Sequence, residues 1–236
     1  MSAAEEWLDA ARAQTGLDDF GDASFRDGLE RLATALESEA RLSETGAQIA
    51  RAHVTHLLAT RLEIEDCYRK HPEIDEQAVA APIFILGLPR TGTTATSYLF
   101  SCDPDTRSLR FWESQRPVPP PETASEHTDP RIAATQATFD AMHSAYPELV
   151  SMYFATATSA TECQDLLGRS FRAQHFCGQY RVPSYAAWQL GCDMEPAYRY
   201  HRRQLRLLQW RCPPTRWLLK TPVHMLSLDA LDRVYP

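Results

Sequence analysis

The sequence predicts an α/β fold, in which a parallel β-sheet flanked by helices follows an N-terminal helical region. Two short apolar runs, 81–87 and 217–219, have the length and composition of strands that are buried on both faces. Segments with helical spacing separate these runs, and buried strands that alternate with helices are typical of parallel sheets. Within 1–70, leucines recur at helical spacing between charged residues, which predicts two or three amphipathic helices. We therefore divide the chain into a helical region, 1–80, and an α/β domain, 81–236.

Composition and charge exclude several classes of protein. Of the 236 residues, 44% are hydrophobic and 23% are charged, which is ordinary for a globular chain. Residues 1–80 hold 17 acidic and 8 basic side chains, whereas residues 81–236 hold 14 and 16. Neither part is basic enough to predict a nucleic-acid surface. No apolar run approaches the roughly 18 residues of a membrane span, and the acidic start is unlike a signal peptide. We expect a cytoplasmic protein with reduced cysteines and no metal site.

The order of the elements predicts where a ligand binds. The strand over 81–87 leads through a glycine-containing loop to a helix over 93–100, and Leu109, Phe111 and Trp112 predict a second strand that ends at Glu113. Parallel sheets bind ligands beyond the carboxyl ends of their strands. The loop Gly87–Thr94, Glu113 and Lys220 are therefore expected at one edge of the sheet. Later helices are predicted over residues 129–146, 158–172 and 196–210, with a last helix after Pro222.

The strongest motif is Gly87-Leu-Pro-Arg-Thr-Gly-Thr-Thr94, which lies between the first predicted strand and its helix. It has both glycines and the hydroxyl of the nucleotide-binding P-loop, G-x-x-x-x-G-K-[ST], but Thr93 stands where the lysine would be. The amides of such a loop and of the following helix N-terminus can hold a phosphate. Arg90, inside the loop, supplies a positive charge nearby. The motif predicts a P-loop-type sheet with an anion-binding loop that lacks the usual lysine.

Two segments together resemble a known family. The runs FILGLPRTGTT (84–94) and WLLKTPVHMLSLDAL (217–231) are similar to sulfotransferases that use 3′-phosphoadenosine 5′-phosphosulfate (PAPS), most of all to the bacterial branch related to tyrosylprotein and carbohydrate sulfotransferases. The resemblance covers about residues 82–236. It implies that PAPS is the co-substrate and that no metal is needed. It also implies that the 5′-phosphosulfate is surrounded by Pro89, Arg90, Thr91, Gly92, Thr93 and Thr94.

Sulfuryl transfer needs cations for the leaving phosphate and a base for the acceptor proton. Arg90 and Lys220 are the candidate cations. Lys220 is one of only two lysines, closes a predicted strand, and matches the lysine of the family's L-K-[ST]-P segment. Glu113 resembles the glutamate that tyrosylprotein sulfotransferases place at a similar distance from the loop, and it is the candidate base. The alternative bases are His201, His224 and Glu162.

The acceptor is left open as a hydroxyl or amine of a small molecule, a lipid or a carbohydrate. Aromatic side chains could line an acceptor pocket, although such residues are more often part of a core. The aromatic residues considered are Phe111, Trp112, Tyr153, Phe154 and Trp188.

In the family, the strand that would follow residue 236 ends in an arginine, and a serine comes several residues later. These two residues hold the 3′-phosphate. We therefore expect a C-terminally truncated member that binds the bisphosphate weakly and associates with itself. One alternative is a non-catalytic remnant of the fold. Another is a P-loop kinase or NTPase, which Thr93 and the missing acidic magnesium ligand disfavour.

Overall fold

A computed structural model describes residues 2–148, 150 and 155–236 of the chain. It confirms a parallel sheet flanked by helices, with a helical region before it. The strands are β1 (Ile83–Ile85), β2 (Thr106–Ser108) and β3 (Arg216–Lys220). The helices are α1 (Ala3–Thr15), α2 (Phe25–Ser38), α3 (Glu44–Lys70), α4 (Thr93–Phe100), α5 (Phe111–Gln115), α6 (Pro130–Ala145), α7 (Gln164–Gly168), α8 (His175–Gln179), α9 (Pro183–Gly191), α10 (Glu195–Gln209) and α11 (Leu228–Val234). Short 3₁₀ helices span Pro72–Glu76 and Pro222–Ser227.

The sheet has the strand order β1-β3-β2, and both neighbouring pairs are parallel. Ile85 at the end of β1 pairs with Lys220 at the end of β3. The two strands therefore end side by side, and the loop that follows β1 leaves the sheet at the same edge as Lys220. This register positions the candidate site.

Side chains cap the N-terminal helices. Ser2 Oγ accepts a hydrogen bond from the amide of Glu5 at the start of α1, and Ser43 Oγ accepts one from the amide of Gly46 at the start of α3. Helix α1 ends at Gly16, whose φ of 71° lies in the left-handed region that glycine tolerates best. These signals explain why residues 1–70 form three separate helices.

The largest hydrophobic core joins the N-terminal helices to later parts of the chain. Leu29 and Leu58, from α2 and α3, pack in one cluster with Phe171 and Tyr185, and all four are fully buried. Burial of each such side chain contributes about 1.5–3 kcal/mol to folding. Smaller clusters lie against the sheet, where Trp217 and Leu219 of β3 pack with Leu109 and Leu205.

The second predicted strand is wrong in its position. Strand β2 ends at Ser108, and Phe111–Gln115 forms the helix α5. Glu113 explains the difference, because its Oε1 accepts a hydrogen bond from the amide of Arg110 at 3.0 Å and closes a capping box. The aromatic residues therefore begin a helix, although their strand propensity suggested otherwise.

The helix predicted over 158–172 is also wrong for most of its length, since only α7 forms there. The amide of Thr161 donates to the carbonyl of Leu109 at 2.8 Å, and the amide of Cys163 donates to the carbonyl of Lys220 at 3.0 Å. These hydrogen bonds hold residues 161–163 beside the carboxyl end of the sheet. The segment thereby reaches the end of β3.

None of the described helices is both long enough and apolar enough to cross a membrane.

Candidate active site

The loop between β1 and α4 makes a tight turn that requires glycine at its first position. A Cβ on Gly87 would lie 2.7 Å from Cγ2 of Thr93 and 2.9 Å from Oγ1 of Thr91, so a larger residue would push the loop apart. The amide and hydroxyl of Thr91 both donate to the carbonyl of Leu88, at 3.3 and 2.7 Å. The loop is therefore closed on itself before α4 begins.

Two residues of the loop have left-handed backbone conformations. Gly92 has a φ of 90°, which costs glycine little, whereas Arg90 has a φ of 67°. For a residue with a side chain, that conformation costs about 1–2 kcal/mol. Strain of this kind persists where the surrounding structure imposes it, and it is concentrated at functional sites. Arg90 is exposed and makes no ion pair within the described part of the chain.

The N-terminus of α4 offers free backbone donors beside Arg90. The first hydrogen bond of the helix runs from the amide of Thr96 to the carbonyl of Gly92, at 3.0 Å. The amides of Thr93 and Thr94 precede it, so they have no partner within the helix. An open cleft of about 440 Å³ lies here and is lined by Arg90, Gly92, Thr93, Thr94, Ala95 and Tyr98. Free amides, the helix dipole and an unpaired arginine together favour an anion.

Lys220 brings a second cation to the loop. Its side chain is only 4% exposed, and its Nζ donates to Oγ1 of Thr94 at 3.2 Å and to Oε1 of Glu162 at 2.7 Å. The ammonium group lies at the end of β3 because the parallel register places this strand end beside the end of β1. The structure thus brings together Lys220, the loop and Glu162.

A chain of hydrogen bonds fixes the carboxylate of Glu162. Its Oε1 accepts from Lys220, and its Oε2 accepts from the hydroxyl of Thr221 at 3.0 Å. That hydroxyl in turn accepts from Nε2 of Gln164 at 3.1 Å. The Glu162 side chain is 29% exposed, so a molecule from solvent can reach it. Sequence reasoning missed Thr221, whose only signal was its place directly after the lysine in the L-K-[ST]-P segment.

Glu113, the glutamate that the sequence favoured as base, has a different environment. Its side chain is 0% exposed, and Oε2 accepts from Nη2 of Arg107 at 2.6 Å. Its Oε1 accepts from the amide of Arg110. None of these hydrogen bonds reaches the loop or Lys220. The carboxylate ties β2 to the start of α5.

The two candidate histidines are buried in an aromatic cluster. His224 Nδ1 lies 2.9 Å from the hydroxyl of Tyr198, and His201 Nδ1 lies 2.6 Å from the hydroxyl of Tyr235. Burial lowers the pKa of His224 to about 3 and holds that of His201 well below its usual value. Both rings are fully buried, so an acceptor cannot reach them without local opening.

The aromatic residues considered for an acceptor pocket are dispersed. Trp112 is fully buried beneath the guanidinium of Arg131, and Trp188 packs against the largest core. Phe111 lies against Phe139 and lines a separate cleft of about 260 Å³. Tyr153 and Phe154 lie outside the described residues.

Comparison with known proteins identifies the family. The sequence model described as the sulfotransferase family matches residues 82–236, which include the loop, Glu162 and Lys220. The chain belongs to the sulfotransferase family. No curated protein sequence matches it. Groups of three or more histidine, cysteine or acidic side chains that could hold a metal ion are absent from the described residues.

Two solved sulfotransferase structures are similar to this one. The crystal structure of sulfotransferase STF1 from Mycobacterium tuberculosis H37Rv matches 98% of this chain with a TM-score of 0.88 and 34% sequence identity. That of sulfotransferase STF9 from Mycobacterium avium matches all of the chain with a TM-score of 0.92 and 30% identity. The chain spans 64% of the length of the first protein and 61% of the second.

Proposed function

We propose that this sulfotransferase moves a sulfuryl group from PAPS to a hydroxyl or amine of a small molecule, a lipid or a carbohydrate. The observation that carries the proposal is the contact of Lys220 Nζ with Oγ1 of Thr94, at 3.2 Å. It places a cation at the loop although the P-loop lysine is replaced by Thr93. A loop that has Arg90 and Lys220 as cations but lacks the P-loop lysine suits the single 5′-phosphosulfate of PAPS better than a triphosphate.

The donor site in this proposal is the loop Pro89–Thr94. The free amides of Thr93 and Thr94 would bind oxygens of the phosphosulfate, and Arg90 would pair with its charge. PAPS supplies the sulfuryl group when bound. Negative charge develops on the leaving phosphate oxygen as the sulfur–oxygen bond breaks, so Arg90 and Lys220 would stabilise the transition state more than the ground state.

For the base we propose Glu162 in place of Glu113. A general base must come within hydrogen-bond reach of the proton that it removes. Glu162 is partly exposed and borders a cleft together with Pro89, whereas Glu113 is sealed and has both oxygens occupied. Glu162 takes the proton of the acceptor hydroxyl as the new oxygen–sulfur bond forms. The bond from sulfur to the bridging phosphate oxygen breaks, and adenosine 3′,5′-bisphosphate leaves.

Calorimetric titration tests the proposal by comparing adenosine 3′,5′-bisphosphate with magnesium-ATP. We expect the protein to prefer the bisphosphate and the Arg90→Ala variant to bind it at least about tenfold more weakly, since one charge-assisted contact is lost. The Arg216→Ala variant, which changes an exposed arginine at the opposite end of β3, is the matched control. Preference for magnesium-ATP would favour a kinase or NTPase, and binding of neither would favour a non-catalytic remnant.

A further inference from the structure

Two separate clefts border the phosphate loop. The first contains Arg90 and the N-terminus of α4. The second, of about 470 Å³, is bordered by Pro89 of the loop, by Glu162, and by residues of α8 and of the turn after β3. The two clefts share no lining residue. The volume of the second cleft lies within the range of small-molecule sites, roughly 300–1,000 Å³.

We infer that the sulfuryl acceptor binds in this second cleft and that it is a neutral, hydroxyl-rich molecule such as a sugar or another polyol. The inference rests on the proposed function and names the class of substrate for it. In a direct displacement, the acceptor oxygen approaches sulfur from the side opposite the leaving phosphate. Arg90 and the N-terminus of α4, which suit the phosphate, line the first cleft, and the proposed base Glu162 lines the second.

The charge of the second cleft disfavours an anionic acceptor. No arginine or lysine is among the described residues that line it, and Glu162 contributes a carboxylate. His175 also lines the cleft, and burial lowers its pKa to about 3, so its ring is neutral near pH 7. An anionic acceptor would find no cation here except through Lys220. That lysine already contacts Glu162 and Thr94.

The hydrogen-bonding groups of the cleft match hydroxyls. Gln164 and Gln174 present carboxamides, each of which donates and accepts as a hydroxyl does. Nε2 of Gln164 is engaged with Thr221, while its Oε1 is buried without a partner in the described structure. A buried polar atom without a partner is unfavourable, and a hydroxyl from the acceptor would satisfy it.

The apolar part of the cleft is small and contains no aromatic platform. Cys177, Pro222 and Val223 form its aliphatic wall, and none of its described lining residues is Phe, Tyr or Trp. A phenol or steroid would therefore lack the ring contacts that usually hold it. The C–H faces of a sugar ring require only a modest aliphatic surface, which this wall provides.

Gly178 is a position in the cleft where a side chain can begin without a clash at its Cβ. It lines the cleft in α8, and a Cβ added to it would have no atom within 4 Å. Gly191, at the end of α9, is equally open but lines neither of the two clefts. Gly178→Phe and Gly191→Phe are thus a matched pair of variants. The first blocks the proposed acceptor site, and the second controls for the added side chain.

The experiment measures transfer of labelled sulfuryl from PAPS to maltose, 4-nitrophenol and hexylamine, with binding of adenosine 3′,5′-bisphosphate measured in parallel. We expect maltose to be the preferred acceptor. We also expect Gly178→Phe to lower kcat/KM for maltose by about tenfold or more, which corresponds to 1.4 kcal/mol. Bisphosphate affinity should not change in either variant, and Gly191→Phe should transfer as the unmodified protein does.

Three results would overturn the inference while leaving the proposed function intact. They are preference for 4-nitrophenol or hexylamine, equal activity of the two glycine variants, and bisphosphate binding without transfer to maltose. Failure of the unmodified protein to bind the bisphosphate would overturn the proposed function instead, and the inference with it.

Discussion

Two ion pairs with buried cations follow neighbouring strands of the same sheet, yet their environments differ. Arg107 and Glu113 lie at and just after β2, with side chains 6% and 0% exposed. Lys220 and Glu162 meet at the end of β3, with side chains 4% and 29% exposed. The cations are equally sealed, so the accessibility of the carboxylate distinguishes the pairs. A pair that is closed on both sides can hold the fold, whereas one with an open carboxylate can also react.

The other partners of each pair support this distinction. Arg107 donates to the carbonyls of Leu208 and Cys212, both at 3.2 Å, and stacks on the ring of Trp217. Its guanidinium thus joins β2 to the end of α10. Lys220 instead contacts Thr94 in the phosphate loop. Arg107 thus donates to backbone carbonyls, whereas Lys220 contacts the loop of the candidate ligand site.

The largest expected effect is on stability, at the closed pair. Arg107→Met would leave Glu113 charged and buried without its partner, which costs about 3–5 kcal/mol. Arg211→Met is the control, because Arg211 and Glu122 form a half-exposed pair that contributes less than about 1 kcal/mol. Urea denaturation of both variants measures the free energies of unfolding. A loss below about 1 kcal/mol for Arg107→Met would remove the structural role from this pair.

The next largest effect is on the rate of sulfuryl transfer, at the pair formed by Lys220 and Glu162. Lys220→Met keeps the length and apolar stem of the buried side chain but removes the charge that we propose stabilises the leaving phosphate. Transfer should fall about a hundredfold to a thousandfold, the effect of losing one preorganised stabilising group. Lys70→Met changes the other lysine, which is 59% exposed, and should leave transfer unchanged. Single-turnover kinetics with PAPS measures both, and an equal rate for Lys220→Met would exclude Lys220 from the mechanism.

Two buried histidines in different parts of the structure, His175 and His224, should make the fold less stable in acid. The pKa of His175 and of His224 is lowered to about 3 by burial, whereas an unfolded histidine has a pKa near 6.5. Below pH 6.5 the unfolded chain binds more protons, so stability is complete above this pH and falls as the pH drops toward 3. Each ring contributes about 1.4 kcal/mol per pH unit in this range.

Urea titrations at several pH values measure this dependence. The His224→Phe variant should have a shallower loss of stability with acid than the unmodified protein. An identical slope for the two proteins would show that His224 binds protons equally in the folded and unfolded states, and it would reopen its candidacy as a base.

The smallest expected effect concerns the hydroxyl that positions Glu162. Thr221→Val removes the donor to Oε2 of Glu162 but keeps the shape of the side chain, so we expect kcat to fall about tenfold. Thr221→Ser keeps the hydroxyl and should restore most of the rate. Equal kcat for the two variants would mean that the carboxylate is held without Thr221. A merely structural role would lower stability in both without this separation of kcat.

Much of the fold could be predicted because local signals determine it. The apolar runs around Ile83–Ile85 and Arg216–Lys220 and the glycines of the loop predict β1, β3 and the start of α4 correctly. The region around Glu113 could not be predicted, because a capping bond to Arg110 turns an apparent strand into α5.

The candidate site, like the fold, could be predicted from the sequence only in part. Arg90 and Lys220 could be placed at the loop because each lies at the end of a predicted strand or in the motif itself. The contacts of Glu162 could not be predicted, since its partners Lys220 and Thr221 are 58 and 59 residues away in sequence. They meet only because residues before α7 run beside the end of β3 through the bond from Cys163 to Lys220. Long-range hydrogen bonds of this kind leave no local pattern.

The most direct test of the account is a paired measurement of kcat and stability for Glu162→Gln and Glu113→Gln. At saturating PAPS, Glu162→Gln should lower kcat by about 10²–10⁴-fold, because the proposed base is lost, with bisphosphate affinity retained. Glu113→Gln should lower the free energy of unfolding, while the protein that remains folded transfers at a rate within a few-fold of the unmodified enzyme. The reverse outcome, a catalytic loss confined to Glu113→Gln, would contradict the account and return the base to Glu113.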